Sequence, residues 1–341
     1  MLNFGIISTA RINQEALLFP ASKRDDVVIK AVASRDWARA KDYADSKGIP
    51  VAYGSYEELL EDPTIDAVYI STPNAFHVPW TTNALLKGKH VLCEKPFSPT
   101  YHQALELVQL AESRGLLLME AMHYSNHPAV HQLIRELRDG RLGQIESIHT
   151  KLSIPTPPEG DIRYQTDLMG GAFMHIGCYC THFIQAIIDR PLAMHSINIE
   201  QQAPNRADVL ALGDLRAEPE IGNLSFNVSL KDRNLSSFAK IQGSKGSLLI
   251  NSIFNPVDTQ RKPYMDQITL RSDVLNGFRL PENTFHQSTY DFQLEAFLNA
   301  IKRGDFRPLV DSRNSRLIEQ GKALLNPSFS RFTDPGLRLA S

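Results

Sequence analysis

The sequence predicts an α/β protein in two parts: an N-terminal parallel sheet interleaved with helices, then an α/β region carrying a large open, mostly antiparallel sheet. Up to about residue 120, short apolar runs alternate with amphipathic segments, which is how βαβ units read. Those runs are nearly all apolar instead of alternating, as expected for strands buried on both faces. Beyond residue 143, strand-like segments follow one another through short turns, which implies antiparallel pairing. A chain of 341 residues also exceeds what one hydrophobic core usually organises. The expected division is residues 1–122 and 123–341.

In order, NFGIIS, VVIKAVAS, DAVYIST and HVLCEKP are the first strand candidates. Helical patterns lie between them at residues 36–47, 55–60 and 80–87. After Gly140-Arg-Leu-Gly143 the character changes. A strand is expected at 145–154, a Pro- and Gly-bearing loop at 155–170 and a helix at 172–188. Strands follow at 196–200, 223–230, 237–242, 247–253 and 267–271, with turns marked by Gly243, Gly246 and Pro256. Helices at 290–302 and 312–325 close the pattern.

Composition narrows the partners. Hydrophobic residues make up 42% of the chain and charged residues 22%, and the net charge is -2, so bulk electrostatics draw it to neither nucleic acid nor an anionic membrane. A small-molecule substrate is the expected partner. Cys93, Cys178 and Cys180 are too few for a disulfide framework and lack a second pair for a zinc site, which fits a reducing compartment. No apolar run approaches the ~18 residues of a membrane span and no basic leader precedes the first apolar segment, so a cytoplasmic protein is expected.

Gly5-Ile-Ile-Ser-Thr-Ala-Arg-Ile12 has the rhythm of a strand entering a helix through a phosphate-binding turn. It lacks two glycines of G-x-G-x-x-G. Gly5, Ser8 and Ala10 keep the crowded positions small, and the Ser8 and Thr9 hydroxyls can add donors. Taken alone, the stretch is equally readable as a plain strand end. Where the second strand should finish, Ser34 and Arg35 favour NADP(H) over NAD(H), because an arginine there accommodates a 2'-phosphate; Asp36 reads as the N-cap of the next helix. Ser71-Thr-Pro-Asn74 with His77, and Glu94-Lys95-Pro96, place polar groups past the carboxyl ends of apolar strands, where open α/β sheets bind ligands. Ser8, Thr9, Ala10, Arg11, Ile12, Ser34, Arg35, Ser71, Thr72, Pro73, Asn74, His77, Glu94 and Lys95 are therefore the candidate cofactor residues.

These segments, with GGAFMHIGCY, QGSKGSLLINSIFNP and STYDFQLEAF, stand in an order and spacing that resembles the glucose-fructose oxidoreductase, inositol dehydrogenase and rhizopine-catabolism (Gfo/Idh/MocA) family. The branch with dihydrodiol dehydrogenases and NADP-dependent xylose dehydrogenases is the most similar. The resemblance implies an N-terminal Rossmann fold, a C-terminal α/β domain, a homodimer or higher homo-oligomer, and hydride transfer between a nicotinamide and a carbinol or carbonyl carbon of a small sugar, polyol or related cyclic substrate. It also implies that Lys95 and Tyr179 are the catalytic pair: Tyr179 exchanges the proton on oxygen and Lys95 stabilises negative charge. A cation beside a phenol is expected to lower its pKa.

Read as a helix, residues 175, 179 and 182 fall at i, i+4 and i+7, which puts His175, Tyr179 and His182 on one face. A buried aromatic stripe is the rival reading; a metal site lacks further ligands. His175, His182, Arg163 and His123 are the candidate substrate contacts, with an Asp161–Arg163 salt bridge as the structural alternative for Arg163. His175 stands where the family usually has aspartate, Ser125 where it often has arginine, and Met169 where it often has glycine. Two alternatives follow: an imine or other non-sugar reductase in which a titrating His175 donates the proton, or a cofactor-binding regulatory protein with an altered site.

Overall fold

The computed structural model describes residues 1–203, 206–254 and 287–325. β1 (Leu2–Ile7) leads into a π-helical turn, Gln14–Leu18, and the short α1 (Phe19–Ala21). β2 (Val27–Ala33), α2 (Trp37–Lys47), β3 (Val51–Tyr53), α3 (Tyr56–Glu61), β4 (Ala67–Ile70), α4 (His77–Leu86), β5 (His90–Cys93), α5 (Tyr101–Arg114) and β6 (Leu118–Glu120) complete the first unit. Its sheet runs β3-β2-β1-β4-β5-β6, all parallel. That is the doubly wound order whose direction reverses between β1 and β4, and ligands bind outside the carboxyl ends of the strands at such a reversal. Ile6, Ile7, Val68, Ile70, Val91 and Leu92 are fully buried, which accounts for the continuous apolar runs.

Helix starts are chemically marked. Asp36 accepts from the Ala38 and Arg39 amides at the head of α2, Ser55 caps α3 and Thr100 caps α5. β3, β6 and α5 add to the elements expected above, as do the helix Pro128–Arg138 and the strand Asp208–Ala217 further along. β3 and β6 have three residues each, too few to show a period.

α6 (Pro128–Arg138) precedes β7 (Ile145–Pro155). A second π-helical turn, Phe173–Gly177, runs into α7 (Cys178–Ile188). β8 (Leu192–Gln201), β9 (Asp208–Ala217), β10 (Asn223–Asp232), β11 (Ser236–Gly243) and β12 (Gly246–Asn251) follow. This sheet runs β12-β11-β7-β10-β9-β8. The β7–β10 pair is parallel and the other pairs are antiparallel, so the sheet is mixed through one central pair. The chain reaches that pair by inserting two hairpin strands and α7 between β7 and β10. The strand expected at 267–271 and the turn at Pro256 lie outside the described residues.

α8 (Thr289–Arg303) opens with a capping box between Ser288 and Asp291. It returns to the first sheet, where Leu294, Phe297 and Leu298 join the cluster around Phe4, with the Phe4 and Phe297 rings 5.3 Å apart. α9 (Ser312–Leu325) packs by α7, where Asn314 donates to the Cys178 carbonyl.

Candidate active site

A cavity of about 1170 Å³ opens at the carboxyl ends of the first sheet and is closed by β7, the 155–170 loop and the turn before α7. Small-molecule sites commonly occupy roughly 300–1,000 Å³, so there is room for more than one small ligand. Of the sequence-predicted site residues, all except His182 line it.

The nucleotide turn is built on Ser8, which holds φ +108 without being glycine. Buried Asn13 fixes it: the Asn13 amide donates to the Ser8 carbonyl at 2.9 Å and accepts from the Ser71 hydroxyl at 2.6 Å. Among the described residues, the amides of Thr9, Ala10, Arg11 and Ile12 donate to no backbone carbonyl, so they are available to an anion. At the end of β2, exposed Arg35 and Arg39 both face this cavity, and Arg39 donates to the Thr9 hydroxyl at 2.9 Å. Two guanidinium groups beside free amides fit the phosphates of NADP. Arg39 was not foreseen; its signal is the spacing i, i+4 from Arg35 across the capped first turn of α2.

The second unit grips this turn across the cavity. Asp161 takes both oxygens to Arg163 (2.9 and 3.0 Å) and lies 3.6 Å from Arg11. Asn74 donates to the Met169 carbonyl at 2.8 Å. The salt-bridge alternative for Arg163 is therefore present, while its buried Nε has no hydrogen-bond partner among the described residues.

Lys95 emerges from β5 on a cis Lys95–Pro96 peptide. Its Nζ donates to the His175 carbonyl at 2.7 Å and stands 4.8 Å from the centroid of the Tyr179 ring. His175 lies in the π-helical turn, whose hydrogen bonding departs from the regular i to i+4 ladder. Gly171 and Asp208 set where the turn begins: the Asp208 carboxylate accepts the Phe173 amide at 2.8 Å, in space a Cβ on Gly171 would fill. Below Lys95, the Tyr69 hydroxyl donates to Glu94 at 2.6 Å and Glu120 accepts the Phe97 amide at 3.1 Å. Burial pushes Glu94 up and Glu120 up to about 8.

Three expectations need correction. His182 does not reach the cavity; one turn deeper along α7, its Nδ1 meets the Tyr124 hydroxyl at 2.7 Å. The Tyr179 phenol is held well above its ordinary value, by burial first and then by Tyr290 and Glu94, so the lysine over its ring face does not make it more acidic. His175 is pushed well below 6.5 by burial, then by Lys95, Arg163 and His77. A neutral His175 is not the charged proton donor that the imine reading required.

His123 is likewise neutral: burial, then Lys95, lowers it to about 3. Its Nδ1 meets the Thr289 hydroxyl at 2.7 Å and its ring packs 4.3 Å from Tyr290 and 5.4 Å from Tyr179. Tyr290, also lining the cavity, is a second residue not foreseen as part of the site. Buried His77 ties two loops, with one ring nitrogen 2.8 Å from the Pro96 carbonyl and the other 2.8 Å from Thr72. Among the described residues no cluster of three or more His, Cys, Asp or Glu could hold a metal ion.

Known proteins resemble this chain in sequence and fold. Residues 2–122 match an oxidoreductase family model with an NAD-binding Rossmann fold, and residues 130–249 match the GFO/IDH/MocA C-terminal domain. The chain is similar to D-xylose 1-dehydrogenase (NADP(+)) 2 of Haloferax volcanii, 33% identical over 92% of each chain. It is 35% identical, over 90% of each chain, to a dTDP-3,4-didehydro-2,6-dideoxy-alpha-D-glucose 3-reductase of Streptomyces antibioticus. A 3-ketoreductase from Actinomadura kijaniata, solved with NADP and TDP-benzene, superposes with a TM-score of 0.81 at 28% identity, covering 95% of this chain and 97% of that one. The chain belongs to the GFO/IDH/MocA oxidoreductase family.

Proposed function

We propose that this chain is an NADP-dependent oxidoreductase that interconverts a carbinol and a carbonyl on a sugar, polyol or related cyclic substrate, with Lys95 and Tyr179 as the reacting pair. The observation that carries the reading is the placement of the Lys95 ammonium over the Tyr179 ring, in the same cavity as a turn of free amides flanked by Arg35 and Arg39. When bound, NADP supplies or accepts the hydride.

The chain's own groups do the rest. The amides of Thr9 to Ile12 hold the pyrophosphate, and Arg35 with Arg39 holds the 2'-phosphate. The Lys95 ammonium, already steered by the His175 carbonyl, donates to the substrate oxygen and stabilises the charge that grows there. Tyr179 stays protonated in its buried setting and gives its proton to that oxygen during reduction; the reverse reaction returns it. The intact Lys95–Tyr179 pair favours an enzyme over a regulatory protein with a lost site.

The test is NADPH titration followed by turnover of Lys95→Ala and Tyr179→Phe. Each should lose about 10²–10⁴-fold in kcat, the usual worth of a positioned proton donor, with NADPH affinity retained. Unchanged turnover in both variants removes the mechanism.

Two coarser features complete the proposal. The second sheet leaves Leu212, Asp214 and Arg216 of β9 exposed on the face away from its core, and this face supports pairing of two copies. Light scattering that finds monomer alone overturns it. The three cysteines are free and buried, which supports a cytoplasmic setting. Among the described residues no helix is long and apolar enough to cross a membrane.

A further inference from the structure

Glu120 ends β6, directly across the parallel ladder from Cys93, the last residue of β5. The proposed reaction makes no use of it, yet it stands behind the residues from which Lys95 springs. Its carboxyl, in a residue 4% exposed, accepts the Phe97 amide at 3.1 Å, two residues beyond Lys95. Pro96 has no N–H to offer, and among the described residues the Phe97 amide donates to no backbone carbonyl. Glu120 is therefore the acceptor that holds the chain just after Lys95. The carboxyl is itself well anchored: the Glu120 amide donates to the Leu309 carbonyl at 3.1 Å and the Ala121 amide to the Cys93 carbonyl at 2.7 Å.

We infer that Glu120 is a positioning residue for the reaction, a role that rests on the oxidoreductase reading above: by holding the Phe97 amide it fixes the turn from which Lys95 meets the substrate oxygen.

It does so uncharged. Burial, opposed by the Phe97 amide and Lys95 and aided by Asp311 and Glu94, raises its carboxyl to about 8. Asp311, just before α9, is itself paired with Arg313. The other titratable groups that face Glu120 are Cys93 on β5, Cys178 on α7 and Tyr124 in the turn before α6, each kept protonated by burial. Once ionised, Glu120 would set a buried negative charge behind the Lys95 ammonium and oppose the charge growing on the substrate oxygen.

The experiment measures kcat and KM for NADPH-dependent reduction of cyclohexane-1,2-dione and pentahydroxycyclohexanone by wild type, Glu120→Gln and Glu120→Ala, from about pH 6.5 to about pH 9.5. Glutamine keeps an oxygen for the Phe97 amide and cannot ionise. At about pH 6.5, Glu120→Gln should match wild type, while Glu120→Ala should lose about 10–100-fold in kcat with KM little changed. Toward about pH 9.5, wild type should fall about tenfold relative to Glu120→Gln, and their ratio cancels the pH dependence that the two share. Urea midpoints give a reading without turnover. The carboxyl ionises near 4.5 in the unfolded chain and about 8 in the fold, so the folded state binds more protons between these values. Wild type should therefore lose stability relative to Glu120→Gln as pH rises through that window. Wild-type kcat in Glu120→Ala, or a Glu120→Gln to wild-type ratio that ignores pH, overturns the inference and leaves the oxidoreductase reading standing. If Glu120→Ala does not fold, the pH dependence of that ratio decides. Wild type that binds NADPH and reduces neither ketone counts against the oxidoreductase reading, and the role of Glu120 falls with it.

Discussion

Gly171→Ala is the substitution that most directly ties the fold to the chemistry. Gly171 sits at φ +112, and a Cβ there would run into the Asp208 carboxylate that accepts the Phe173 amide. The backbone conformation costs a residue with a Cβ about 1–2 kcal/mol. Displacing the carboxylate leaves a buried amide unpaired, at about 1–3 kcal/mol. The expected loss is therefore about 2–5 kcal/mol, read as a lower urea midpoint at unchanged slope. Because the damaged turn carries His175 and leads directly into α7 with Tyr179, kcat should fall as well, whereas NADPH affinity, set by the turn after β1 and by α2, should hold. A double-mutant cycle separates the contributions. Asp208→Ala alone should cost about 1–3 kcal/mol through the same lost acceptor, so the double variant should cost no more than Gly171→Ala by itself. A wild-type midpoint in Gly171→Ala, or simple addition in the double variant, would refute this account.

Arg39→Ala should weaken NADPH binding about tenfold and leave NADH binding unchanged, since an exposed charge-assisted contact is worth about 1–1.5 kcal/mol; equal losses for both cofactors, by fluorescence titration, would show that Arg39 does not read the 2'-phosphate. Ser8→Gly should relieve the strain at φ +108 and stabilise by about 1 kcal/mol, raising Tm on the order of 2 °C; a lower Tm would mean the serine side chain compensates for its backbone. His123 is neutral in the fold down to about pH 3, whereas in the unfolded chain it takes a proton near 6.5. The unfolded state therefore binds more protons between these values, and stability falls as pH drops below 6.5, by about 1.4 kcal/mol per pH unit from this residue. His123→Phe should flatten that acid limb in urea midpoints measured against pH, and an unchanged slope would place the titration elsewhere.

The parallel sheet was legible because burial on both faces leaves a direct trace in the sequence: Phe4 to Ile7 and Ala67 to Ile70 are runs of buried residues. Capping was legible for the same local reason, as at Asp36. What the pattern could not show is pairing between distant strands. Nothing local in β7 and β10 announces that they lie side by side and parallel, since each also has an antiparallel neighbour. Very short strands such as Val51–Tyr53 carry no period at all.

The site divides along a similar line. A polar residue at the end of an apolar strand is visible in the sequence, so Lys95, Ser71 and Ser8 could be placed. The 3.6-residue period then misplaced His182, because helical spacing orders side chains around an axis but does not say how far along it the cavity extends. Charge was the least legible property, since it depends on walls that the chain supplies from elsewhere. In water a histidine at position 175 would titrate near neutrality and serve as an acid; enclosed beside Lys95, Arg163 and His77 it stays neutral. The donor role proposed for Tyr179 rests on a phenol whose own burial keeps it protonated, and the His175 backbone carbonyl, not its ring, is the group that meets the lysine.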